Sequence, residues 1–577
     1  MFKQKIIEIL VEETKLHKDE VAKLLETPPN LEMGDYAFPC FQFSKPGKDD
    51  EMWENVEKDF FKRKNPSDIA KHFTDQINNK NIPKEIEKVE AKGPYVNFFI
   101  NKNLLAREIL EINSNFGKLK SKDKQKILTE YCHANTHKAF HIGHTRNISL
   151  GESISRILEF QGNKIIRANY QGDVGMHIAK TLWGLKHLKE LGLNIPKENK
   201  GNWLGIVYAK AASAAKDEKI AEEINKINQS LYSGDKELKK LWKETRQWSI
   251  DYFDKVVYPD FDTNFDRFYF ESEVEKRGTE IVNSLLEKGI AKKSKGAIII
   301  DLKKYNLDVF LLLKTDGTPL YSTKDLYLAE LMNKEYRPDK IIHIVASEQK
   351  FYFQQLIKTL EIINPVDGKK QEHMSYELVM LPSGKMASRE GDVILYEDTL
   401  NKIKDIAKKG LKKRNKKLKE DEIEKKAKLI ALAAIKYEML SQGPNKTITF
   451  NENQAVSFEG NTGPYLQYSY ARASSILKKS KIKKSNIKID NLSQSEIQLL
   501  SQISKFPETV ENAGKLMNPA LIANYSYDLA KSFNEFYHSC QVIGSEEEAF
   551  RLKLINSFRT TLKNALYLLG IEVMEEM

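Results

Sequence analysis

The 577-residue sequence predicts a multidomain α/β protein: an α+β region, then an α/β core, then an all-α region. Three observations predict this class. In the core, a β-prone stretch at 127–132 and another at 164–170 flank a helical pattern at 148–160, which favours a parallel sheet. Alternating residues at 88–100 predict a hairpin in the first region. Helical spacing dominates residues 428–569 in the last region.

The composition indicates which kinds of partner the protein can have. The net charge of +11 favours a polyanionic partner. The three cysteines, Cys40, Cys132 and Cys540, lie too far apart for a disulfide framework or a cysteine-based zinc site. The N-terminus is too charged for a signal peptide, and no apolar run reaches the roughly 18 residues of a membrane span. These features predict a cytoplasmic protein without a membrane partner.

The N-terminal region begins with apolar residues at helical spacing, from Ile6 to Leu16, which predict an opening helix. A stretch rich in lysine and asparagine at 45–65 predicts a surface excursion. The hairpin at 88–100 carries Gly93-Pro94 at its turn. From the pattern alone, an ordinary edge hairpin is the simplest interpretation.

The core is organised around residues 130–147, EYCHANTHKAFHIGHTRN, which read as a strand end, a loop and the first turn of a helix. In parallel sheets this loop is where ligands bind, and a helix N-terminus can hold phosphate. His141 and His144 share a helix face, and Gly143 between them leaves room for a nucleotide. Neutral or protonated imidazoles there can donate hydrogen bonds to phosphate. The alternative is two exposed histidines on a helix.

A metal site is a second alternative, because His133, His137, His141 and His144 are spaced four, four and three residues apart. The pattern lacks adjacent carboxylates and an HExxH-type base. A strand, loop and helix would also scatter the four rings. We therefore predict neither a metal ligand nor a structural zinc here.

The string Glu-x-x-x-Ala-Asn-x-x-Lys-x-x-His-Ile-Gly-His-x-Arg-Asn at 130–147 resembles the arginyl-tRNA synthetases, a family of class I aminoacyl-tRNA synthetases. The resemblance implies a Rossmann-like catalytic core and a C-terminal anticodon-binding bundle. The expected partners are tRNA(Arg), L-arginine and ATP, the last as its Mg²⁺ complex. A monomer is expected. The implied segments are a tRNA-elbow domain at 1–120, a catalytic domain at 121–400 with a connective insertion at about 185–300, a linking segment with a basic helix at 401–455, and an anticodon-binding domain at 456–577.

The sequence also offers a pocket for a guanidinium group. Tyr321 and Asp325 are four apart in a predicted helix, so they share a face. A guanidinium is planar and always charged, and it binds carboxylates through forked hydrogen bonds. Asp325 and Glu130 are the candidate carboxylates, and the resemblance adds Asn135 and Gln349 as arginine-binding residues. The alternative for Tyr321 and Asp325 is a helix cap beside a surface carboxylate.

The loop at 382–391 resembles the second class I signature, Lys-Met-Ser-Lys-Ser. Its cations are expected to clamp ATP and neutralise the leaving pyrophosphate. Ala387 and Ser388 depart from the signature, and many arginyl enzymes that lack its second lysine carry one just before the HIGH motif. Lys138 occupies that place here and is predicted to supply the charge; the alternative is a solvent-facing lysine. The predicted ATP-binding residues are His141, Gly143, His144, Lys385, Met386 and Arg389, and the predicted catalytic residues are Lys138, His141, His144 and Lys385.

The resemblance also implies contacts with RNA. In the N-terminal region, Lys92, Tyr95 and Asn97 would face it, since an aromatic ring beside amide and ammonium donors suits a splayed base. In the C-terminal region the candidates are Tyr465, Tyr537 and Met577. The lysine run at 402–428 predicts either a solvated helix or a tRNA-facing strip.

The predicted reaction is the activation of arginine by ATP to arginyl-adenylate, followed by transfer to the 3′-terminal adenosine of tRNA(Arg). Two alternatives stay open. One is a class I synthetase of another amino acid specificity. The other is a non-catalytic tRNA-binding relative, in which Ala387 and Ser388 mark lost activity.

Overall fold

The computed structural model describes residues 2–28, 30–44, 65–119, 123–380, 394–414, 418–480, 487, 489 and 491–577. Most of the predicted excursion at 45–65 therefore lies outside the described residues. The chain forms two compact units. The first comprises Met1–Asn113, Ser480–Lys505 and Ser532–Phe558, and the second comprises Ser114–Lys479, Phe506–Lys531 and Arg559–Met577.

The first unit holds a three-stranded antiparallel sheet in the order β1-β3-β2. The predicted hairpin is confirmed: Lys92 lies opposite Tyr95, and Gly93 takes a φ of +57° at the turn. The predicted opening helix is also confirmed, with Ile6 and Leu10 fully buried. The elements of residues 1–113 are α1 (Phe2–Thr14), α2 (Lys18–Leu24), β1 (Tyr36–Pro39), α3 (Pro66–Asn78), β2 (Ile86–Lys92), β3 (Tyr95–Ile100) and α4 (Lys102–Leu110).

The second unit is built on a five-stranded parallel sheet in the order β11 (Gln371–Tyr376), β10 (Lys340–Ala346), β4 (Lys126–Glu130), β5 (Lys164–Gln171) and β6 (Arg267–Phe270). The predicted strand–helix–strand unit is confirmed. Strand β4 ends two residues early because Cys132 has a φ of +82°, outside the β region. The elements that position the site are β4 (Lys126–Glu130), α5 (Ile142–Phe160), β5 (Lys164–Gln171), β6 (Arg267–Phe270), β10 (Lys340–Ala346) and β11 (Gln371–Tyr376).

Helices and a small antiparallel sheet surround the parallel sheet. Leu328 and Met332 pack against Leu128 and Ile166 on one sheet face. The remaining elements up to residue 368 are α6 (Met176–Lys186), α7 (Lys200–Ala214), α8 (Glu218–Ser233), α9 (Lys236–Tyr252), α10 (Tyr258–Phe261), α11 (Glu271–Glu287), β7 (Lys292–Ser294), β8 (Ala297–Asp301), β9 (Val309–Leu313), α12 (Tyr321–Tyr336), α13 (Lys350–Ile363) and α14 (Pro365–Gly368).

The sequence predicts a core strand at 308–314 and a further strand at 377–381. The first prediction needs correction, because β9 belongs to the antiparallel sheet β7-β8-β9 and not to the core. Within the described part of the second stretch, the strand is β12 (Val379–Met380), which pairs with β13 (Ile448–Thr449), and the core strand β11 was not predicted. Strand β6 falls inside the expected insertion yet extends the core sheet, because its aromatic side chains, such as the fully buried Tyr269, pack in the core.

The predicted helical pattern after residue 428 is confirmed. Within the lysine run, Lys404 and Lys408 both pair with Glu424, and Lys412 pairs with Glu420. Such exposed pairs fit a solvated helix surface, and the tRNA-facing strip stays a prediction. The elements are α15 (Tyr396–Arg414), α16 (Glu420–Leu440), α17 (Glu452–Ala455), α18 (Gly463–Lys479), α19 (Gln494–Ser504), α20 (Phe506–Lys515), α21 (Ala520–Ser539) and α22 (Glu548–Leu568). In the described part of the chain, no helix combines the length and apolar character needed to cross a membrane.

Candidate active site

A cavity of about 660 Å³ opens at the carboxyl ends of β4, β5 and β10 in the second unit. Parallel sheets bind their ligands at this edge. The cavity brings together the predicted residues Glu130, Asn135, Lys138, His141, Gly143, His144, Tyr321, Asp325 and Gln349. The predicted loop residues Lys385, Met386 and Arg389, with Ala387 and Ser388, lie outside the described residues.

The hydrogen bonds of His141 and His144 identify their tautomers. Nδ1 of His141 accepts from the N–H of Gly143 at 3.1 Å, and Nδ1 of His144 accepts from the N–H of His141 at 3.3 Å. Burial, assisted by the charge of Lys138, lowers the pKa of His141 to about 4, and burial beside His141 also lowers the pKa of His144 well below its usual value. Both rings are therefore neutral near pH 7 and each carries its hydrogen on Nε2.

The two rings stack, with centroids 3.7 Å apart, where α5 begins. A helix N-terminus carries partial positive charge and unpaired N–H groups. Two Nε2–H donors at this place can stabilise charge that develops on phosphate without adding a formal positive charge. Of the two forms considered from sequence, the neutral imidazole is the one that the geometry supports.

The loop between β4 and α5 has an unusual backbone. Cys132, His133 and His137 have φ values of +82°, +51° and +63°, a conformation that costs about 1–3 kcal/mol for each such residue. His137 is fully buried between the hydroxyls of Thr136 and Thr245, at 3.0 and 2.7 Å. It is therefore a packed core histidine. Across the described residues, no three His, Cys, Asp or Glu side chains are grouped to hold a metal ion.

Two carboxylates approach the cavity from different elements. Glu130, the last residue of β4, is 3% exposed, and burial would raise its pKa, yet the imidazoles of His343 and His133 lower it overall. Asp325 lies on α12 and accepts a hydrogen bond from the hydroxyl of Tyr352. Burial raises the pKa of Asp325 to about 7, and the charge of Glu130 adds to this rise. Oδ1 of Asp325 is buried and has no hydrogen-bond partner among the described residues, so it is available to a guanidinium.

Amide and aromatic groups complete the predicted arginine pocket. Oδ1 of Asn135 accepts from the N–H of Gly172 at 3.1 Å. A Cβ at position 172 would lie 2.4 Å from that oxygen, so any larger residue there would displace Asn135. Tyr321 is 67% exposed at the first turn of α12, one turn before Asp325, as its helical spacing predicted. Gln349 lies at the cavity rim just before α13.

Lys138 is half-buried at the cavity wall, so it is not the solvent-facing lysine of the alternative interpretation. Its Nζ lies 5.2 Å from the ring centroid of Tyr208 on α7. Burial, together with the charge of Lys180, lowers the pKa of Lys138. A cation held by an aromatic face beside the two histidines is well placed to meet a polyphosphate.

Several cavity residues were not predicted, including Arg146, Tyr170, Glu271, His343 and Tyr352. The hydroxyl of Tyr170 is buried without a hydrogen-bond partner among the described residues, as are two nitrogens of Arg146. His343 had a usable signal: it is the one polar residue in the apolar run Ile-Ile-His-Ile-Val of β10. Arg146 had one too, because it stands in the 130–147 string. Tyr352 carried none, because only the fold brings it to the cavity.

The predicted RNA-contacting residues lie outside this cavity. Lys92 is exposed and Tyr95 half-buried, whereas Asn97 is 3% exposed in the centre of its sheet. Its side chain is therefore not presented at the surface. In the helical region, Tyr465 and Met577 are half-buried and Tyr537 is 38% exposed.

Comparison with known protein families agrees with this architecture. The model described as "tRNA synthetases class I (R), catalytic domain" matches residues 106–451. The "Arginyl tRNA synthetase N terminal domain" matches residues 1–100, and the "DALR anticodon binding domain" matches residues 466–577. The parallel sheet with paired imidazoles where α5 begins is thus the core of a class I aminoacyl-tRNA synthetase.

Curated relatives narrow the class. The chain is 33% identical to the arginine–tRNA ligase of Clostridium perfringens over all of both chains. It is 35% identical to that of Bdellovibrio bacteriovorus, over 97% of this chain and 95% of the relative. The arginyl-tRNA synthetase of Thermus thermophilus superposes over the full length of both chains with a TM-score of 0.82 and 25% identity. The chain belongs to the arginyl-tRNA synthetase family, which confirms the expectation from residues 130–147 and the predicted fold class.

Proposed function

We propose that this chain joins L-arginine to tRNA(Arg) at the expense of ATP. One observation carries the proposal: the carboxylates of Glu130 and Asp325 line the same cavity as the Nε2–H donors of His141 and His144. The first pair suits a cationic amino acid, and the second suits a triphosphate.

In the first step, a carboxylate oxygen of arginine attacks the α-phosphorus of ATP. The bond from that phosphorus to the bridging oxygen of the β-phosphate breaks, and pyrophosphate leaves with the electron pair. Phosphoryl transfer of this kind depends on positioning and on charge stabilisation. We assign His141, His144, Lys138 and Lys385 to stabilise the negative charge that develops on the phosphates. The signature-loop residues Met386 and Arg389 are assigned to ATP binding, with Gly143. Mg²⁺ is expected to accompany ATP, because it neutralises phosphate charge.

In the second step, the 2′-hydroxyl of the terminal adenosine attacks the arginyl carbonyl carbon, loses its proton, and AMP leaves. The choice of the 2′-hydroxyl follows class I analogy. In the family the first step generally needs tRNA present. We assign RNA contacts to Lys92, Tyr95, Tyr465, Tyr537 and Met577. Exposure of Lys92 and Tyr537 supports their assignment, whereas the burial of Asn97 removes it from the set that the resemblance implied.

We propose a separate role for each of four segments of the chain. Residues 1–120 would bind the tRNA elbow, and residues 121–400 would carry the catalysis, with a connective insertion at about 185–300. Residues 401–455 would link them to an anticodon-binding bundle at 456–577. The net charge of +11 supports an enzyme that acts on RNA, and we propose that it acts in the cytoplasm as a monomer.

Aminoacylation with labelled arginine and tRNA(Arg) tests the proposal. The expected result is arginine-dependent charging and, with tRNA present, arginine-dependent ATP–pyrophosphate exchange. Each other amino acid is screened in the same exchange assay, and a preference for one of them would replace arginine as the substrate. Binding of tRNA without charging or exchange would instead identify a non-catalytic relative.

A further inference from the structure

His343 lies in the middle of β10, an interior strand of the parallel sheet between β11 and β4, and is 4% exposed. In the sheet register it stands opposite Glu130 on β4 and opposite His373 on β11. The proposed mechanism gives it no role, although it lines the same cavity as the candidate arginine-binding residues.

Both ring nitrogens of His343 face hydrogen-bond acceptors. Nδ1 contacts Oε2 of Glu130, and Nε2 lies 2.8 Å from Oε1 of Gln371. The amide nitrogen of Gln371 donates to the carbonyl of Asp367 at 3.3 Å, so the amide oxygen is the atom that faces the ring. A ring between two acceptors needs a hydrogen on each nitrogen, and such a ring is an imidazolium.

The surroundings of the ring favour its positive charge. The carboxylates of Glu130 and Asp325 are the anionic groups near it, and the ring of Phe353 packs against it with centroids 5.3 Å apart. Burial opposes the charged form, yet Glu130 and Gln371 raise the pKa of His343 above its usual value. Two other imidazoles lie nearby. Nδ1 of His133 is 3.5 Å from Oε1 of Glu130, a longer contact than that of His343 and from a side chain that is 24% exposed. Nε2 of His373 is 3.0 Å from the carbonyl oxygen of Val345.

We propose that His343 is a positioning residue for the amino acid substrate: as an imidazolium held between Gln371 and Glu130, it keeps the Glu130 carboxylate ionised and engages one of its oxygens, which leaves the other for the guanidinium. This inference rests on the proposed arginine specificity. In this proposal the two pocket carboxyl groups have different protonation states before arginine binds. Glu130 is already an anion, whereas Asp325 gives up its proton as the substrate cation enters.

Loss of the imidazolium would leave Glu130 buried beside Asp325 without its principal cation. A buried carboxylate in that position takes up a proton, because desolvation and a neighbouring carboxyl group both disfavour its charge. Arginine binding would then need the release of two protons. The slope of log KM for arginine against pH would steepen from about one towards two below neutral pH, since each released proton contributes one.

The first test is imidazole ¹⁵N NMR on the full-length protein labelled at histidine, with His343→Gln to assign the signal. We expect both ring nitrogens of His343 to show the protonated pattern at pH 7. A neutral-ring pattern at pH 7 would overturn the proposal. This measurement does not depend on arginine turnover.

The second test compares His343→Gln and His343→Phe with His373→Phe, a matched change on the adjacent strand. For both His343 variants we expect KM for arginine to rise at least about tenfold, with KM for ATP within about twofold, and the pH slope to steepen. His373→Phe should leave KM for arginine, KM for ATP and the pH slope unchanged. If His343→Phe fails to fold, His343→Gln decides, because its amide retains a hydrogen-bond donor for Glu130 without the charge.

The possible outcomes distinguish a failure of the proposed function from a failure of the proposed role of His343. A wild-type protein that charges tRNA with no arginine contradicts the proposed function. A wild-type protein that uses arginine, with His343→Gln matching it in KM and pH slope, contradicts only the role of His343. A higher KM with an unchanged slope would also contradict it, because a purely structural contact changes affinity without adding a titration.

Discussion

The hydroxyl of Tyr352 donates a hydrogen bond to Oδ2 of Asp325, and Oδ1 of Asp325 is left without a partner among the described residues. Glu130 is held in a similar way, with Oε2 in contact with His343. Each carboxylate thus has one oxygen fixed by a neighbouring side chain. A guanidinium presents N–H groups along more than one edge, so two half-occupied carboxylates suit it.

Asp325→Asn should raise KM for arginine by about 10- to 100-fold, because a hydrogen bond to a charged group contributes about 1.5–3 kcal/mol. The effect on KM for ATP should be small. Steady-state ATP–pyrophosphate exchange with tRNA present measures both constants. Glu330→Gln, an exposed carboxylate on the same helix, is the matched control and should behave as wild type. Equal effects of the two changes would refute the assignment of Asp325.

Arginine binding should strengthen as pH rises through 7. Burial raises the pKa of Asp325 to about 7, whereas the guanidinium of arginine stays charged, so below this pH binding must expel a proton. KM for arginine should therefore fall about tenfold per unit between pH 5.5 and 6.5 and level off above pH 8. Steady-state kinetics across that range measures it. A flat profile in the wild type, or the same profile in Asp325→Asn, contradicts this prediction.

Two substitutions of His144 should show which of its ring nitrogens contributes to catalysis. Only Nε2 carries the hydrogen, since Nδ1 accepts from the backbone of His141. Glutamine can place an N–H donor near Nε2, whereas asparagine places it near Nδ1. Loss of one such donor costs about 10²- to 10³-fold in kcat, so His144→Asn should lose that much in pyrophosphate exchange, and His144→Gln clearly less. Equal losses would mean that the Nε2–H group is not the one that matters.

Lys138→Ala should lower the rate of arginine-dependent pyrophosphate exchange by about 10- to 100-fold, and Lys138→Arg should restore part of it, because a cation near the phosphates stabilises developing charge. The measurement is kcat at saturating arginine and ATP. Lys186→Ala, in the last turn of α6 and outside the cavity, serves as the control. An unchanged rate in Lys138→Ala would show that Lys138 does not replace the signature lysine.

Gly172→Ala should weaken arginine binding without touching the substrate directly. The added Cβ would lie 2.4 Å from Oδ1 of Asn135 and 3.2 Å from Oε1 of Glu271, so Asn135 must move. We expect KM for arginine to rise about tenfold, in line with a cost of about 1–2 kcal/mol for strain in a packed site. Gly410→Ala in α15, where the nearest atom is 3.7 Å away, should change neither kinetics nor folding for the worse. Wild-type kinetics in Gly172→Ala would refute the close packing of Asn135.

Some elements of the structure could be predicted from the sequence, and others could not. The histidines at the start of α5 could be placed from sequence, because their spacing, their glycine and the preceding strand are local features. Strand β9 could be predicted as a strand but not assigned to a sheet, since strand pairing depends on distant residues. Strand β11 was not predicted because polar residues interrupt its apolar pattern, although it pairs with β10 in the core sheet. The burial of Asn97 was not predicted either, because it depends on the pairing of β3 with the distant strand β1.

The sequence by itself determined the strand, loop and helix around residues 130–147, the helical spacing of Tyr321 and Asp325, and the family that these motifs resemble. These features depend on neighbours within a few residues, where backbone geometry dictates which side chains share a face. Only the tertiary structure decided the surroundings that set the charge states: the burial that lowers the pKa of His141 and His144, the burial that raises the pKa of Asp325, and the place of His343 between Glu130 and Gln371. Those states depend on burial and on charges brought from distant strands, which sequence spacing does not report.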